Sequence, residues 1–212
     1  MGCSQCVGLE QETQKWVEED LKAYRRGKQS ATTTLLIQEL LRRGVRGLSL
    51  LDIGGGIGEI PLELLAKGAE KAVSVEISTV YLDAARQESA RKGLNDRITF
   101  IHGDFVDAAD QVPEADIVTL NKVVCCYPDF EALVTKSAAR ARKYYALVFP
   151  KDWWFIRQVL KLVNWFSKAQ KSLYVAYVHP VQEVDRLIQA GGFKRAYQAS
   201  TLGWHVWVYE RP

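Results

Sequence analysis

The stretch Asp52-Ile53-Gly54-Gly55-Gly56-Ile57-Gly58 puts a carboxylate at the end of an apolar run and follows it with a loop almost free of side chains. Glycines at a strand-to-helix turn let backbone approach a ligand closely. The helix expected to open near Glu59 adds unpaired N–H groups and the positive end of a dipole. The spacing is Gly-x-Gly-x-Gly. A dinucleotide fingerprint needs its third glycine one position later, where this chain has Glu59, a side chain that would crowd a pyrophosphate. A ligand with adenosine and no pyrophosphate, such as S-adenosylmethionine (SAM), is the better match.

These residues need a sheet to position them, and the apolar pattern supplies one. Strands are expected at Leu48–Ile53, Ala72–Glu76, Arg97–His102, Ala115–Leu120 and Tyr144–Phe149. Helices are expected between them: Ile60–Ala66, one capped by Ser78 and running to about Lys92, and Asp129–Arg142. Short apolar strands alternating with helices imply a parallel sheet covered on both faces, with ligands beyond the carboxyl ends of the strands. Upstream, Glu10–Arg26 and Thr32–Arg43 read as helices separated by a polar hinge, Lys28-Gln29-Ser30-Ala31. Downstream, Val181–Ala190 reads as a helix. Phe193–Ser200 and Trp204–Tyr209 read as strands of an antiparallel hairpin around Gly203.

From about Leu48 to Pro150, with the hairpin tail, the chain resembles the class I SAM-dependent methyltransferases. That resemblance implies an α/β, Rossmann-like seven-stranded methyltransferase sheet, parallel strands plus a C-terminal antiparallel hairpin, with an N-terminal helical cover. One domain is expected: residues 1–46 as cover, 47–150 as SAM-binding core, 151–212 as substrate-side helices and hairpin. The resemblance also implies roles. Glu76, ending the second strand, would accept from both ribose hydroxyls, a charge-assisted pair of bonds. Asp104 in His102-Gly103-Asp104-Phe105 would accept the adenine amino group, with Phe105 near the ring and Ile77 on its face. Asp52 would orient the loop and the amino-acid end of SAM. Gly54, Gly56, Gly58 and Asn121 complete the cofactor set. Tyr24 is either part of a cover reaching the SAM carboxylate or a core residue.

Asn121-Lys122-Val123-Val124-Cys125-Cys126-Tyr127-Pro128-Asp129 follows the fourth strand, where class I enzymes place substrate-side chemistry. It is not the Asn/Asp-Pro-Pro-Tyr pattern of enzymes that methylate planar nitrogens. Val123 to Asp129 is similar to the magnesium-protoporphyrin O-methyltransferases, as are Phe149-Pro150-Lys151-Asp152-Trp153-Trp154 and Val178-His179-Pro180. In that family SAM methylates a porphyrin propionate; Asn121-Lys122 departs from its Asp-Arg pair. A small acceptor, apolar or aromatic and bearing a carboxylate, is expected, with Lys151, Trp153 and Trp154 suited to hold it. A carboxylate nucleophile needs no general base at pH 7; a phenol or amine would need Tyr127 or His179, the catalytic candidates. The rivals are a non-catalytic SAM-binding module and an NAD-dependent oxidoreductase.

The 212 residues, 48% apolar and 25% charged, suit one soluble domain. A net charge of +3 without a dense basic run gives no reason to expect nucleic acid. No secretory-type leader is evident and Cys6 breaks the myristoylation pattern, so a cytoplasmic protein with reduced thiols is expected. The longest apolar stretch, Trp153 to Phe166, is interrupted by Arg157, Lys161 and Asn164 and so cannot span a bilayer. Trp153 to Lys168 is apolar nearly all round except for a narrow polar stripe of Arg157, Lys161, Asn164 and Lys168. Such a helix is packed with one wet edge, a lid, or laid against a greasy ligand or membrane surface. Cys3-x-x-Cys6 is half a tetrahedral zinc site; no metal is expected.

Overall fold

The computed structural model describes residues 10–169 and 175–212. Cys3 and Cys6 lie outside them. Seven strands form one sheet: β1 (Ser49–Ile53), β2 (Lys71–Glu76), β3 (Ile98–His102), β4 (Ala115–Asn121), β5 (Ala141–Pro150), β6 (Lys194–Ser200) and β7 (Trp204–Glu210). Their spatial order is β3-β2-β1-β4-β5-β7-β6. The first five are parallel, and β7 runs antiparallel to both β5 and β6. The expected class I sheet is therefore the observed one.

Strand neighbours feed opposite faces because side chains alternate across a pleat. Leu50, Ile117, Ala146 and Val208 join one core; Leu51, Val118, Leu147 and Tyr209 join the other. The first face is covered by α1 (Glu10–Arg25), α2 (Ala31–Arg43), α3 (Glu59–Ala66) and α4 (Thr79–Arg91). Against the second pack α5 (Phe105–Ala108), α6 (Phe130–Ala139) and, beyond α7 (Trp154–Ala169), α8 (Val181–Ala190).

Most boundaries fall within one residue of expectation, and two differ by three. Helix α6 ends at Ala139 rather than Arg142, and β5 starts at Ala141 rather than Tyr144. Ala138 to Arg142 are good helix formers, so propensity alone extends the helix. Tertiary pairing overrides it: Ala141 pairs with Ala115, and the Arg142 guanidinium reaches Asp116 at 3.1 Å. Ser30 is a cap and not part of a hinge, since its hydroxyl accepts from the Thr33 N–H and α2 begins at Ala31. The short helix α5, capped by the Asp104 carboxylate, was not foreseen.

Helix α1 is held onto α3 and α4 by polar contacts. Tyr24 donates to Glu63 at 2.8 Å, Tyr81 donates to Asp20 at 2.8 Å, and Arg25 pairs with Glu88 at 2.9 Å. The Glu88 side chain is fully buried, while its partners Arg25 and Arg91 are half-exposed and can rehydrate. Glu88→Ala is therefore expected to cost about 1–2 kcal/mol in urea denaturation, below the cost of orphaning a buried charge. Arg91, then Arg25, holds the Glu88 carboxyl below its ordinary range. This contribution is accordingly present above that range and lost as pH falls through it. Unchanged stability in the variant would contradict the anchoring.

Candidate active site

In a sheet of order 3-2-1-4-5 the chain leaves β1 toward β2 on one side and later returns to β4 on the other, opening a crevice at the carboxyl ends of β1 and β4. The glycine loop lies there. Gly54 and Gly56 take positive φ (62° and 57°), and Gly58, at 81°, sits at the N-cap of α3. Space also dictates glycine. A Cβ on Gly54 would come 2.6 Å from Val123, and one on Gly55 would overlap the Asp52 carboxylate. Gly55→Ala is expected to displace the loop or Asp52, lowering stability by about 1–3 kcal/mol and abolishing measurable ligand binding. A variant that melts and binds as the parent does would show that the loop tolerates the shift.

Around this loop is a cavity of 860 Å³, near the upper end of the ~300–1,000 Å³ typical of small-molecule sites. Asp52, Gly54, Gly56, Glu76, Ile77, Asp104, Phe105, Asn121 and Tyr127, all singled out from sequence, line it. Glu76 is buried at the tip of β2, where Oε2 accepts from the Gly56 N–H and Oε1 from the Ser78 N–H, both at 3.0 Å. Burial raises its pKa against those backbone donors. The carboxylate thus fixes the loop and still faces the cavity.

Asp52 is fully buried beneath the loop. Thr119, its register partner on β4, donates to Oδ1 at 2.5 Å, while Oδ2 has no partner among the described residues. Burial pushes this carboxyl up to about 7; Thr119 opposes the shift, and Glu76 and Glu59 add to it. Glu59, in the first turn of α3, is likewise pushed up to about 7 by burial and by Asp20 opposite, with Lys122 opposing. Asp20, Asp52 and Glu59 all line the same cavity. Such a cluster repels a pyrophosphate and favours a ligand that brings positive charge. The Asn121 amide donates to Thr33 at 3.0 Å, and its Oδ1 has no partner among the described residues. Two unpaired buried acceptors and a side-chain-free cradle fit the cationic amino-acid end of SAM.

The structure places the other candidates elsewhere. Tyr24 does not line the cavity: its ring is in the core beneath Lys92 and its hydroxyl is on Glu63. On α1 the residues 17, 21 and 24 face the core, whereas the adjacent stripe 16, 20 and 23 faces the cavity. Gly58 packs toward Ala85 and Leu62 of the helices behind the loop. His179 is stacked on Phe130 at 4.3 Å, and its Nε2 is 3.0 Å from the Tyr127 carbonyl. Burial lowers its pKa against the backbone carbonyls of Tyr127 and Val124, so it braces the turn after β4 and stands outside the cavity wall. The Tyr127 hydroxyl donates to Asp104, 3.0 and 2.8 Å from its two oxygens, and so belongs to the end of the cavity formed by β3. Lys151, with its ammonium 4.4 Å from the Trp153 ring, is outside the lining, as are Trp153 and Trp154.

Sequence reasoning missed Trp16, Asp20, Tyr81 and Lys122. Tyr81 had a readable signal, since it lies in the first turn of the helix that follows β2, at the sheet's carboxyl edge. Among the described residues Lys122 is the non-glycine residue with positive φ, 64°, a conformation that costs roughly 1–2 kcal/mol and concentrates at functional sites. Its ammonium is 3.2 Å from Ser30 Oγ and 5.6 Å over the Trp204 ring. The Cys125 and Cys126 sulfurs, 3.7 Å apart, both turn toward the Lys122 carbonyl, and Cys126 reaches the cavity. Among the described residues no cluster of three or more His, Cys, Asp or Glu could hold a metal.

Residues 50–143 match the family described as a methyltransferase domain. The structure is similar to that of magnesium protoporphyrin IX methyltransferase from Synechocystis PCC 6803 with bound S-adenosylhomocysteine. The TM-score is 0.70 and the identity 21%, covering 90% of this chain and 86% of that one. It is also similar to an O-methyltransferase family 2 protein from Planctomyces limnophilus in complex with apigenin, with TM-score 0.61 and 18% identity over 87% and 62% of the two chains. The ribosomal protein L11 methyltransferase of Salmonella arizonae is 33% identical over 91 residues, 42% of this chain. The chain spans only about 30% of the length of these curated relatives.

Proposed function

We propose that this chain, a methyltransferase domain on the class I fold, binds SAM at the glycine loop and transfers its methyl group to a small apolar or aromatic acceptor bearing a carboxylate. One observation carries the reading: a single cavity is walled by the glycine loop and by carboxylates at successive strand tips, Asp52, Glu76 and Asp104. The matched methyltransferase domain and the resemblance to a fold solved with SAM support it.

Glu76 would hold the ribose hydroxyls, Asp104 the adenine amino group with Phe105 and Ile77 beside the ring, and Asp52 with Asn121 the amino-acid end. Bound there, SAM supplies an electrophilic methyl on a sulfonium. The protein's part is alignment, which in favourable intramolecular cases is worth ~7–11 kcal/mol. Asp20, Asp52 and Glu59 set a negative field around the cationic end of the ligand. On the acceptor side Lys28 and Lys122 line the cavity, and Lys122, fixed between Ser30 and Trp204, suits an acceptor carboxylate. That nucleophile is already ionised at pH 7, so no base is needed.

Tyr127 is then a cofactor-side residue acting through Asp104. Tyr127→Phe is expected to raise KM for SAM by about fivefold, the worth of one ordinary hydrogen bond, with kcat unchanged. A collapse of kcat at unaltered KM would instead restore Tyr127 to proton chemistry.

The activity is tested by incubating the protein with methyl-labelled SAM and a panel of porphyrins, phenols and aliphatic acids. Label in a base-labile ester of an apolar acid is the expected outcome. Label taken up only by protein would move the acceptor class toward that named for the ribosomal-protein relatives. SAM binding without transfer to any acceptor would favour a non-catalytic module.

A further inference from the structure

Helix α7 turns the wrong side outward for a water-facing helix. Ile156, Leu160 and Asn164, four residues apart, form its half-buried edge. The opposite face is apolar and open: Trp154 is 75% exposed, Trp165 67%, Leu162 65%, Phe166 57% and Val159 56%. Contiguous exposed aromatics and aliphatics on this scale mark an interaction surface. Exposed Arg157 and Lys161 flank it, Arg157 approaching Asp152 at 3.8 Å. From Trp153 to Gln182 the sequence has Arg157, Lys161, Lys168 and Lys171 and no acidic residue. A broad apolar face with Trp, Phe and Leu beside basic residues alone is the pattern of a helix lying in a lipid interface. The charge complement is an anionic headgroup layer, which attracts each nearby Lys or Arg. No described helix is long and apolar enough to cross a membrane.

The helix is also tied to the cavity. Asn164 clasps Ala176 in both directions, at 2.8 and 2.9 Å, and the next residue, Tyr177, donates its N–H to the Cys125 carbonyl at 2.7 Å. Cys126 lines the cavity, and β5, which leads into α7, ends at the same sheet edge. We propose that α7 seats the protein on an anionic lipid surface with the cavity edge beside it. Drawing a lipophilic acceptor from that surface rests on the methyl-transfer reading; the seating itself does not.

The test is co-sedimentation of the full chain with vesicles of phosphatidylcholine mixed with phosphatidylglycerol, and with phosphatidylcholine alone, followed also by tryptophan emission. The expected result is preferential pelleting with the anionic vesicles, weakened by salt, with a blue shift from Trp154 and Trp165. Leu162→Glu with Phe166→Glu, and separately Arg157→Glu with Lys161→Glu, should each lower partitioning by about tenfold or more while leaving SAM affinity in calorimetry unchanged. Wild-type protein that stays in the supernatant, or variants that pellet as wild type does, would overturn the proposal. So would a lipid-free dimer that the first variant makes monomeric, because α7 would then cover a second copy. Vesicle binding without SAM binding would instead reject the cofactor reading and leave the lipid surface standing.

Discussion

Glu76→Ala is expected to weaken SAM binding by about 3 kcal/mol, roughly 150-fold, because the two bonds proposed from ribose hydroxyls to a charged acceptor would be lost together. The carboxylate also receives the Gly56 and Ser78 N–H groups, so its removal loosens the loop that meets the ligand. Glu76→Gln keeps an acceptor oxygen and should fall between. Calorimetric titration of variants that retain a cooperative melt measures both. A dissociation constant equal to that of the parent would mean that Glu76 serves the loop alone and that the ribose lies elsewhere.

SAM affinity is expected to rise with pH through neutrality. Burial above all places the Asp52 carboxyl at about 7 in the folded protein. Below that value it holds a proton that, on the proposed binding mode, a cationic ligand would have to displace; above it the charge would be ready. One such group gives about a tenfold gain in affinity between pH 6 and pH 8, and Asp52→Asn should reduce the slope to the part carried by Glu59, which is also pushed up to about 7. The same raised pKa acts oppositely on the ligand-free fold. Between the ordinary carboxylate range and about pH 7 the folded chain binds the proton and the unfolded chain does not, so stability falls as pH rises. An affinity independent of pH, or the same slope in Asp52→Asn, would remove Asp52 from the ligand's charged end.

Most of the parallel strands were legible because they are buried on both faces, leaving largely apolar runs such as Leu50-Leu51-Asp52-Ile53 and Ile117-Val118-Thr119-Leu120, whereas the edge strand β3 is only partly buried. The strand-tip carboxylates were legible because each lies at or near the end of its strand: Asp52 one residue before the end of β1, Glu76 as the last residue of β2 and Asp104 two residues beyond β3. What escaped was decided between elements. Trp16 and Leu21 look alike in sequence, yet the docking of α1 turns one stripe to the cavity and the next to the core, so Tyr24 and Asp20 exchange the roles their types suggest. The end of α6 yielded to the pairing of Ala141 with Ala115. His179 became a brace because Phe130 stacks on it, a contact between segments far apart in the chain. Lys122 could be found only by its backbone angle.

On the proposed binding mode, acidic groups at successive strand tips select an adenosyl cation over a dinucleotide. Titrating the same protein in the calorimeter with SAM and then with NAD tests it most directly. Saturable binding of SAM with a dissociation constant in the micromolar range, and no heat from NAD, is the predicted result. Saturable binding of NAD with none of SAM would contradict it.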